Sequence, residues 1–461
     1  MTAGSPGRGA SGPSSRDDVA AEVVGLLGRL IRADTSNPPG DVRPAVAVLE
    51  EYFASRGVPC SVVGEAPELG NVLARLPGSG GGPSLLLFGH TDVVPAVDDG
   101  WTEPPFSGRV RDGYVWGRGA LDMKNQVAAQ AVAFVRLTHA AEDGARLRGD
   151  LVFAATANEE AGDQCGAKWL FAQRPDLVRT DFAVNEGGWG LRRPGAGPLF
   201  LVYSGEKGHA TVTIRVSGHG GHGSMPRHTD NAITGLGEVL TAIAAHEPEV
   251  TEERVPAGLI ETTVADPAMR ARLKDPATAQ RAVRELALTD PGLAAVIEPL
   301  FGVTLSATVA RTRGDAVNVI PDTAEVKVDC RILPDQTAAD VYREVERALS
   351  GVGARWHIAS CDLVAGSSSA AEGPLLDAVT ETLAGFAPGS HVFPVLCPGF
   401  TDATHVRETF PEAVAYGICP FVEEDFRDLS PRFHAVDERI AVADLVLQAE
   451  FYERLAARVL A

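Results

Sequence analysis

The chain has 461 residues, 45% apolar and 22% charged, which suits a folded globular protein of two or three domains at roughly 150 residues each. A formal charge of −20 argues against nucleic acid or an anionic membrane as partner, because phosphates and acidic headgroups would be repelled. No apolar run approaches the roughly 20 residues of a membrane-spanning helix.

Residues 1–16 are rich in Gly, Ser, Pro and Arg without an apolar stretch, so a disordered tail is expected and not a signal peptide. Cys60, Cys165, Cys330, Cys361, Cys397 and Cys419 are scattered and form no C-x-x-C pair. They read as buried thiols of a reducing compartment, and the cytoplasm is the expected location. Val19, Val23, Leu26, Leu27, Leu30 and Ile31 fall at helical spacing over 17–31, and Asn37-Pro38-Pro39-Gly40 ends the pattern. A helix over 42–56 and strands at 61–63 and 71–76 follow. The glycine-rich turn at 78–83 leads into a strand and not into a helix carrying Lys-Ser/Thr, so it is a loop and not a phosphate cradle.

Leu85-Leu86-Leu87-Phe88 reads as a buried strand that ends in Gly89 and delivers His90 and Asp92. A histidine so placed can ligate a metal, with Asp92 accepting its second ring N–H to fix the tautomer and raise its basicity. The same pair also occurs in purely structural roles, so further ligands must come from elsewhere. Asp122 follows Gly117-Arg118-Gly119 and precedes a helix over 126–137, where tight backbone holds a carboxylate rigidly or where it serves as a simple cap. The strand over 151–157 ends in Glu159-Glu160. Adjacent acids beside a core are costly, and at a turning strand end one can bind a metal while the next reaches its water; a solvated loop is the alternative. A helix begins near Gly166, and the strand from Phe182 runs into Glu186-Gly187-Gly188. Strands alternating with helices imply an α/β fold with a mostly parallel sheet, whose C-terminal strand edges gather His90, Glu159 and Glu186 in one crevice.

After Lys207 the order changes to strand 210–217, helix 231–245, strands 304–312 and 324–332, helix 338–349 and strand 354–361. This is the split βαβ, ferredoxin-like order. The expected organisation is a first domain over 17–206 and 364–461, interrupted by a second, α+β domain at 207–363. Residues 246–300 are too long for a bare loop and carry a helical pattern, so a helical insertion is expected there. A helix over 375–383 returns the chain to the first domain, and Phe433-His434-Ala435-Val436-Asp437-Glu438 places one more histidine before a helix.

Gly89-His90-Thr91-Asp92-Val93-Val94-Pro95, Gly117 to Lys124, Glu159-Glu160-Ala161-Gly162, Glu186-Gly187-Gly188, Asn318-Val319-Ile320-Pro321 and His434, in this order, resemble the M20 metallopeptidase family. The resemblance implies two Zn2+ ions, or Co2+ or Mn2+ in their place. His90 and Glu186 would bind one, Glu160 and His434 the other, and Asp122 would bridge them. It makes Glu159 the general base, His222 a lid histidine acting in the neighbouring subunit's site, and Asn318 and Arg331 the holders of a substrate carboxylate. His219 and His228 are given surface or structural roles. Asn125 stands where a glycine commonly follows Asp-Met-Lys, and the 246–300 stretch is longer than in compact members.

The chemistry is coherent with that set. A bridging carboxylate offsets repulsion between two close cations, a free Glu can carry a proton to the leaving amine, and an Arg fork suits a carboxylate. The expected function is hydrolysis of the amide bond of an N-acyl amino acid, or of a short peptide next to a free carboxylate, by a homodimer whose inserted domain is lid and dimerisation surface. A deacylase of the acetylornithine or succinyl-diaminopimelate type is the alternative, and a non-catalytic dimer binding amino-acid derivatives is the alternative from another class.

Overall fold

The computed structural model describes residues 15–162, 165–193, 196–228 and 230–461, so the expected tail lies outside them except for its last two positions. Ser15 exchanges hydrogen bonds with Asp18 and caps the helix Arg16–Arg32, whose acidic first turn also suits the positive end of the helix dipole. Its apolar stripe packs against two long helices, Lys124–Glu142 and Val442–Val459.

These helices cover one face of a ten-stranded sheet. Its order is Ser61–Val63, Asn71–Leu76, Leu151–Thr156, Leu85–His90, Phe182–Asn185, Val414–Gly417, Leu199–Glu206 and Ser367–Ser368, with His391–Cys397 and Gly190–Leu191 also paired to Leu199–Glu206. The four strands from Leu151–Thr156 to Val414–Gly417 are mutually parallel. Every residue of Leu85–His90 and Leu151–Thr156 is buried, as parallel strands covered on both faces require. The two faces feed separate clusters. Leu85, Leu87 and Phe153 join the large core, while Leu86, Phe88 and Ala154 pack with Phe171 and Val406 beneath the helices Ala167–Gln173 and Ala403–Thr409. The register sets His90 beside Thr156 and Asn185 beside Gly417, which levels the strand ends that carry the chemistry.

Four strands between residues 208 and 364 form an antiparallel sheet, in the order Thr304–Thr312, Thr323–Ile332, Gly208–Ser217 and Arg355–Val364. Alternate burial along Gly208–Ser217 turns one face onto the helices Ala232–Ala244 and Ala338–Ala348, which share a core of their own with this sheet. The helices Ala257–Thr263, Pro267–Lys274, Ala279–Ala287 and Pro291–Ile297 occupy the long stretch between its first helix and second strand. Their side chains Leu259, Ile260, Leu273, Val283, Leu293 and Ile297 join the large core and not the core of the antiparallel sheet. A helical pattern reports that a face is apolar but not which core it covers. Cys60, Cys330, Cys361, Cys397 and Cys419 are free thiols, and among the described residues no helix is long and apolar enough to cross a membrane.

Candidate metal centre and active site

Three parallel strands and two loops deliver the candidate ligands. His90 is the last residue of its strand, Glu159 and Glu160 follow Leu151–Thr156, and Glu186 follows Phe182–Asn185. Close packing needs glycine at two of these ends. A Cβ on Gly89 would lie 2.1 Å from Met123 Cε, and one on Gly187, at φ +91°, would lie 2.2 Å from the Tyr203 ring. Asn158 and His434 hold φ of 62° and 56°, in the left-handed region that non-glycine residues rarely enter, and each aims the acids or the imidazole at the crevice.

Six side chains converge. His90, Asp122 and Glu186 form one group with ligand atoms within 4.8 Å of one another, and Asp122, Glu160 and His434 form a second. Asp122 belongs to both: its Oδ1 lies 3.2 Å from His90 Nε2 and its Oδ2 lies 3.1 Å from His434 Nε2. Glu186 is 3.6 Å from His90 Nε2, and Glu160 is 3.4 Å from His434 Nε2. Glu159 sits 4.0 Å from His90 Nε2 and is in neither group. Glu160 Oε1 is buried with no hydrogen-bond partner. An anionic oxygen left without a donor is costly, and a cation supplies what is missing. Imidazole and carboxylate donors in this mixture suit zinc, cobalt or manganese, so the residues fit a pair of divalent ions.

Burial raises the Glu159 carboxyl well above the ordinary range, and Glu186 beside it adds to the rise. Glu186 is raised by burial as well. Burial also opposes the charge of Asp122, but the hydrogen bonds from His434 and His90 outweigh it and hold Asp122 low. His434 is lifted to about 10 by Asp122 first and then Glu160. The cluster gathers four carboxylates and two imidazoles in one crevice, a concentration of negative charge that suits cations.

Asp92 differs from expectation. His90 Nδ1 faces the Asp92 backbone carbonyl at 3.0 Å, whereas the carboxylate is 3.6 Å away, beyond hydrogen-bond distance. The chain turns immediately after His90 and brings the carbonyl back onto the ring. The Asp92 carboxylate instead accepts from the amides of Glu159 and Glu160 and from Asn37 Nδ2, and so builds the turn that carries both acids.

The expected site residues of the inserted domain are placed otherwise. His222 is exposed, its Nδ1 paired with Ser224 Oγ, on a two-residue ladder against Val319–Ile320; Asn318 shares its cleft with Arg313. Arg331 lies across the sheet from His209 and donates both Nε and Nη2 to Asp329. Among the described residues, neither His222 nor Arg331 has a recorded hydrogen bond or ion pair to the metal-group side chains. His219 takes a surface contact with Arg355, and the side chain of His228 lies outside the described residues.

Four supporting residues went unread in the sequence. Asn37 bridges Asp92 and Asn158. Arg118 and Glu438 form a buried pair beneath Asp122. Lys124, fully buried, donates to the carbonyls of Leu30 and Ala33 and ties the loop after Asp122 to the first helix. Asn37 stands in the polar run Asp34-Thr35-Ser36-Asn37-Pro38-Pro39-Gly40, which reads as an ordinary loop, and the other three carry charges whose burial no local pattern announces.

A family model described as Peptidase family M20/M25/M40 matches residues 86–458. A succinyl-diaminopimelate desuccinylase from Paracoccus denitrificans is 28% identical over 449 residues, covering 94% of this chain and 97% of that protein. An N-fatty-acyl-amino acid synthase/hydrolase from Mus musculus is 28% identical over 386 residues, covering 81% of this chain and 74% of its own length. The fold is shared with an M20 family metallo-carboxypeptidase from Sulfolobus solfataricus, with a TM-score of 0.69 at 18% identity over 95% of this chain and 99% of that one.

Proposed function

The chain belongs to peptidase family M20/M25/M40 and is an enzyme of that family, and on this premise we propose that it hydrolyses the amide bond of N-acyl amino acids or short peptides that carry a free carboxylate, with two zinc ions. The observation that carries the reading is the pair of ligand groups sharing Asp122, with Glu159 alongside but in neither. His90, Asp122 and Glu186 would hold one ion and Asp122, Glu160 and His434 the other; cobalt or manganese can replace zinc. When bound, the ions supply Lewis acidity toward an amide carbonyl and toward water.

Glu159 does the proton work. Its carboxylate takes a proton from the attacking water and passes it to the nitrogen of the leaving amine. Asn37 and Asp92 hold the turn from which it acts. Arg331 and Asn318 bind the substrate carboxylate, and His222 donates to the oxygen that gains charge as the carbonyl is attacked. In this reading His222 comes from the second subunit of a homodimer, and the protein works in the cytoplasm, where its free thiols stay reduced. The two similar enzymes are named for a succinylated and a fatty-acylated amino acid. Both substrates are N-acyl amino acids, which favours deacylation over peptide cleavage and leaves the acyl group to be found. A purely binding role has no use for Glu159.

The test is direct. Protein stripped by chelator is refilled with zinc and assayed against a panel of N-acyl amino acids and dipeptides. Activity that disappears on stripping and returns with zinc is expected, and zinc-loaded protein inert toward the whole panel overturns the proposal.

A further inference from the structure

The side chains of Arg118 and Glu438 are 4% and 0% exposed and pair at 2.6 Å. Glu438 Oε1 accepts from the successive amides of Leu121, at 2.7 Å, and Asp122, at 3.2 Å. Its Oε2 accepts from Arg118 Nη1 at 2.6 Å, and the same nitrogen donates to the Ala435 carbonyl at 3.2 Å. The backbone repeats the link, since Gly117 N donates to the Glu438 carbonyl at 2.9 Å. Both loops leave one small sheet, in which Arg439–Ala441 pairs with Tyr114–Trp116. The pair therefore clamps the loop that carries Asp122 to the loop that carries His434.

His434 needs such a clamp. A ligating histidine is ordinarily oriented through its second ring nitrogen, as the Asp92 carbonyl orients His90. Among the described residues the recorded polar contacts of His434 are those of its Nε2 with Asp122 and Glu160, its side chain is 51% exposed, and its backbone sits at φ 56°. What fixes this imidazole is its loop, and the buried contact that fixes the loop to Asp122 is Arg118–Glu438.

We propose that Arg118 and Glu438 are positioning residues that set Asp122 against His434, and so determine the affinity of the ion held by Asp122, Glu160 and His434 more than that of the ion held by His90, Asp122 and Glu186. The proposal rests on the metallohydrolase reading above. Its asymmetry comes from the clamp holding both a shared ligand and a ligand of one group alone.

Chelator-stripped full-length protein is titrated with zinc alone, and with cobalt to follow the visible absorption of each equivalent as it binds. In Glu438→Ala one of the two equivalents should lose affinity by roughly 10- to 100-fold, the range found when partners of metal ligands are removed, with an altered cobalt spectrum, while the other changes far less. Because Glu438→Ala leaves the Arg118 charge buried alone, Arg118→Met/Glu438→Gln is titrated in parallel; it removes both charges, keeps an acceptor for the two amides, and cuts the tie to Ala435. It should show the same asymmetric loss. Equal weakening of both equivalents, or wild-type affinity at both in a folded variant, overturns the proposal alone. A wild-type protein that takes up no metal overturns the metallohydrolase reading and the clamp with it.

Discussion

Glu159 and Glu160 are neighbours in the chain and opposites in environment. Glu160 reaches His434 and Asp122 with one oxygen and has its other oxygen buried without a donor, whereas Glu159 stands beside both ligand groups and belongs to neither. A Glu159→Gln variant keeps shape and hydrogen-bonding ability but cannot accept a proton. It is expected to retain its full metal content while kcat falls by about 10²- to 10⁴-fold. Metal analysis beside steady-state kinetics checks this, and a variant that turns over normally removes Glu159 from the mechanism. His90, Glu159, Glu160 and Glu186 were legible in the sequence because parallel strands read as apolar runs and place their chemistry just past the run, where a His or an acid stands out; Asp122 and His434 sit on loops, and the motifs around them carried their reading. Arg118 and Glu438 were not legible, because nothing within a few residues of either marks it as buried; the partner that makes burial tolerable is 320 positions away. Asp92 was noticed for the right reason and given the wrong contact, since a strand-end turn decides whether carbonyl or carboxylate meets the ring.

Among the elements, the passage from the large sheet into the lid turns on Lys207, between Leu199–Glu206 and Gly208–Ser217. Its Nζ donates to the carbonyls of Pro299 and Gly302, each at 2.6 Å, and so fastens the end of the 246–300 stretch to the junction. Burial, with Arg331 nearby, lowers its amine from 10.5 to about 7. A neutral amine has two N–H groups, and the two carbonyls take both. The folded value lies below the unfolded one. Through the window from about 7 to 10.5 the unfolded chain therefore binds a proton that the folded chain does not, and this group's contribution to stability rises with pH. Urea midpoints of wild type and Lys207→Met at matched metal content should diverge from pH 7 towards pH 10, with the wild type gaining relative to the variant. Parallel pH profiles would show that Lys207 is charged in the fold. Periodicity marked the strands up to Phe182–Asn185 and those of the inserted sheet, but not Leu199–Glu206, His391–Cys397 or Val414–Gly417, nor the docking of 246–300 on the large core. Short amphipathic helices such as Ala279–Ala287 carry no mark of their partner, and the residues that settle it, the Asp290–Arg427 ion pair and Lys207, are far apart in the chain.

At the scale of the whole molecule, His222 tests whether one chain makes a complete site. It lies on the lid with Ser224 as its partner, among exposed apolar side chains: Met225, Val317 and Val319 are 55%, 101% and 55% exposed. Apolar groups left open beside this imidazole suit a surface that a second subunit covers. If His222 acts across a twofold homodimer, each site combines Glu159 of one chain with the partner's His222. Glu159→Ala and His222→Ala homodimers then lack a complete site each, but a mixed dimer regains one: Glu159 from the His222→Ala chain and His222 from the Glu159→Ala chain. With free subunit exchange half of the dimers are mixed, so the mixture should recover about a quarter of wild-type activity from two nearly inactive proteins. Sedimentation of the same samples reports whether dimers are present. Dimers that exchange subunits without recovering activity would place His222 in the site of its own chain, and an active monomer would remove the second subunit from the mechanism.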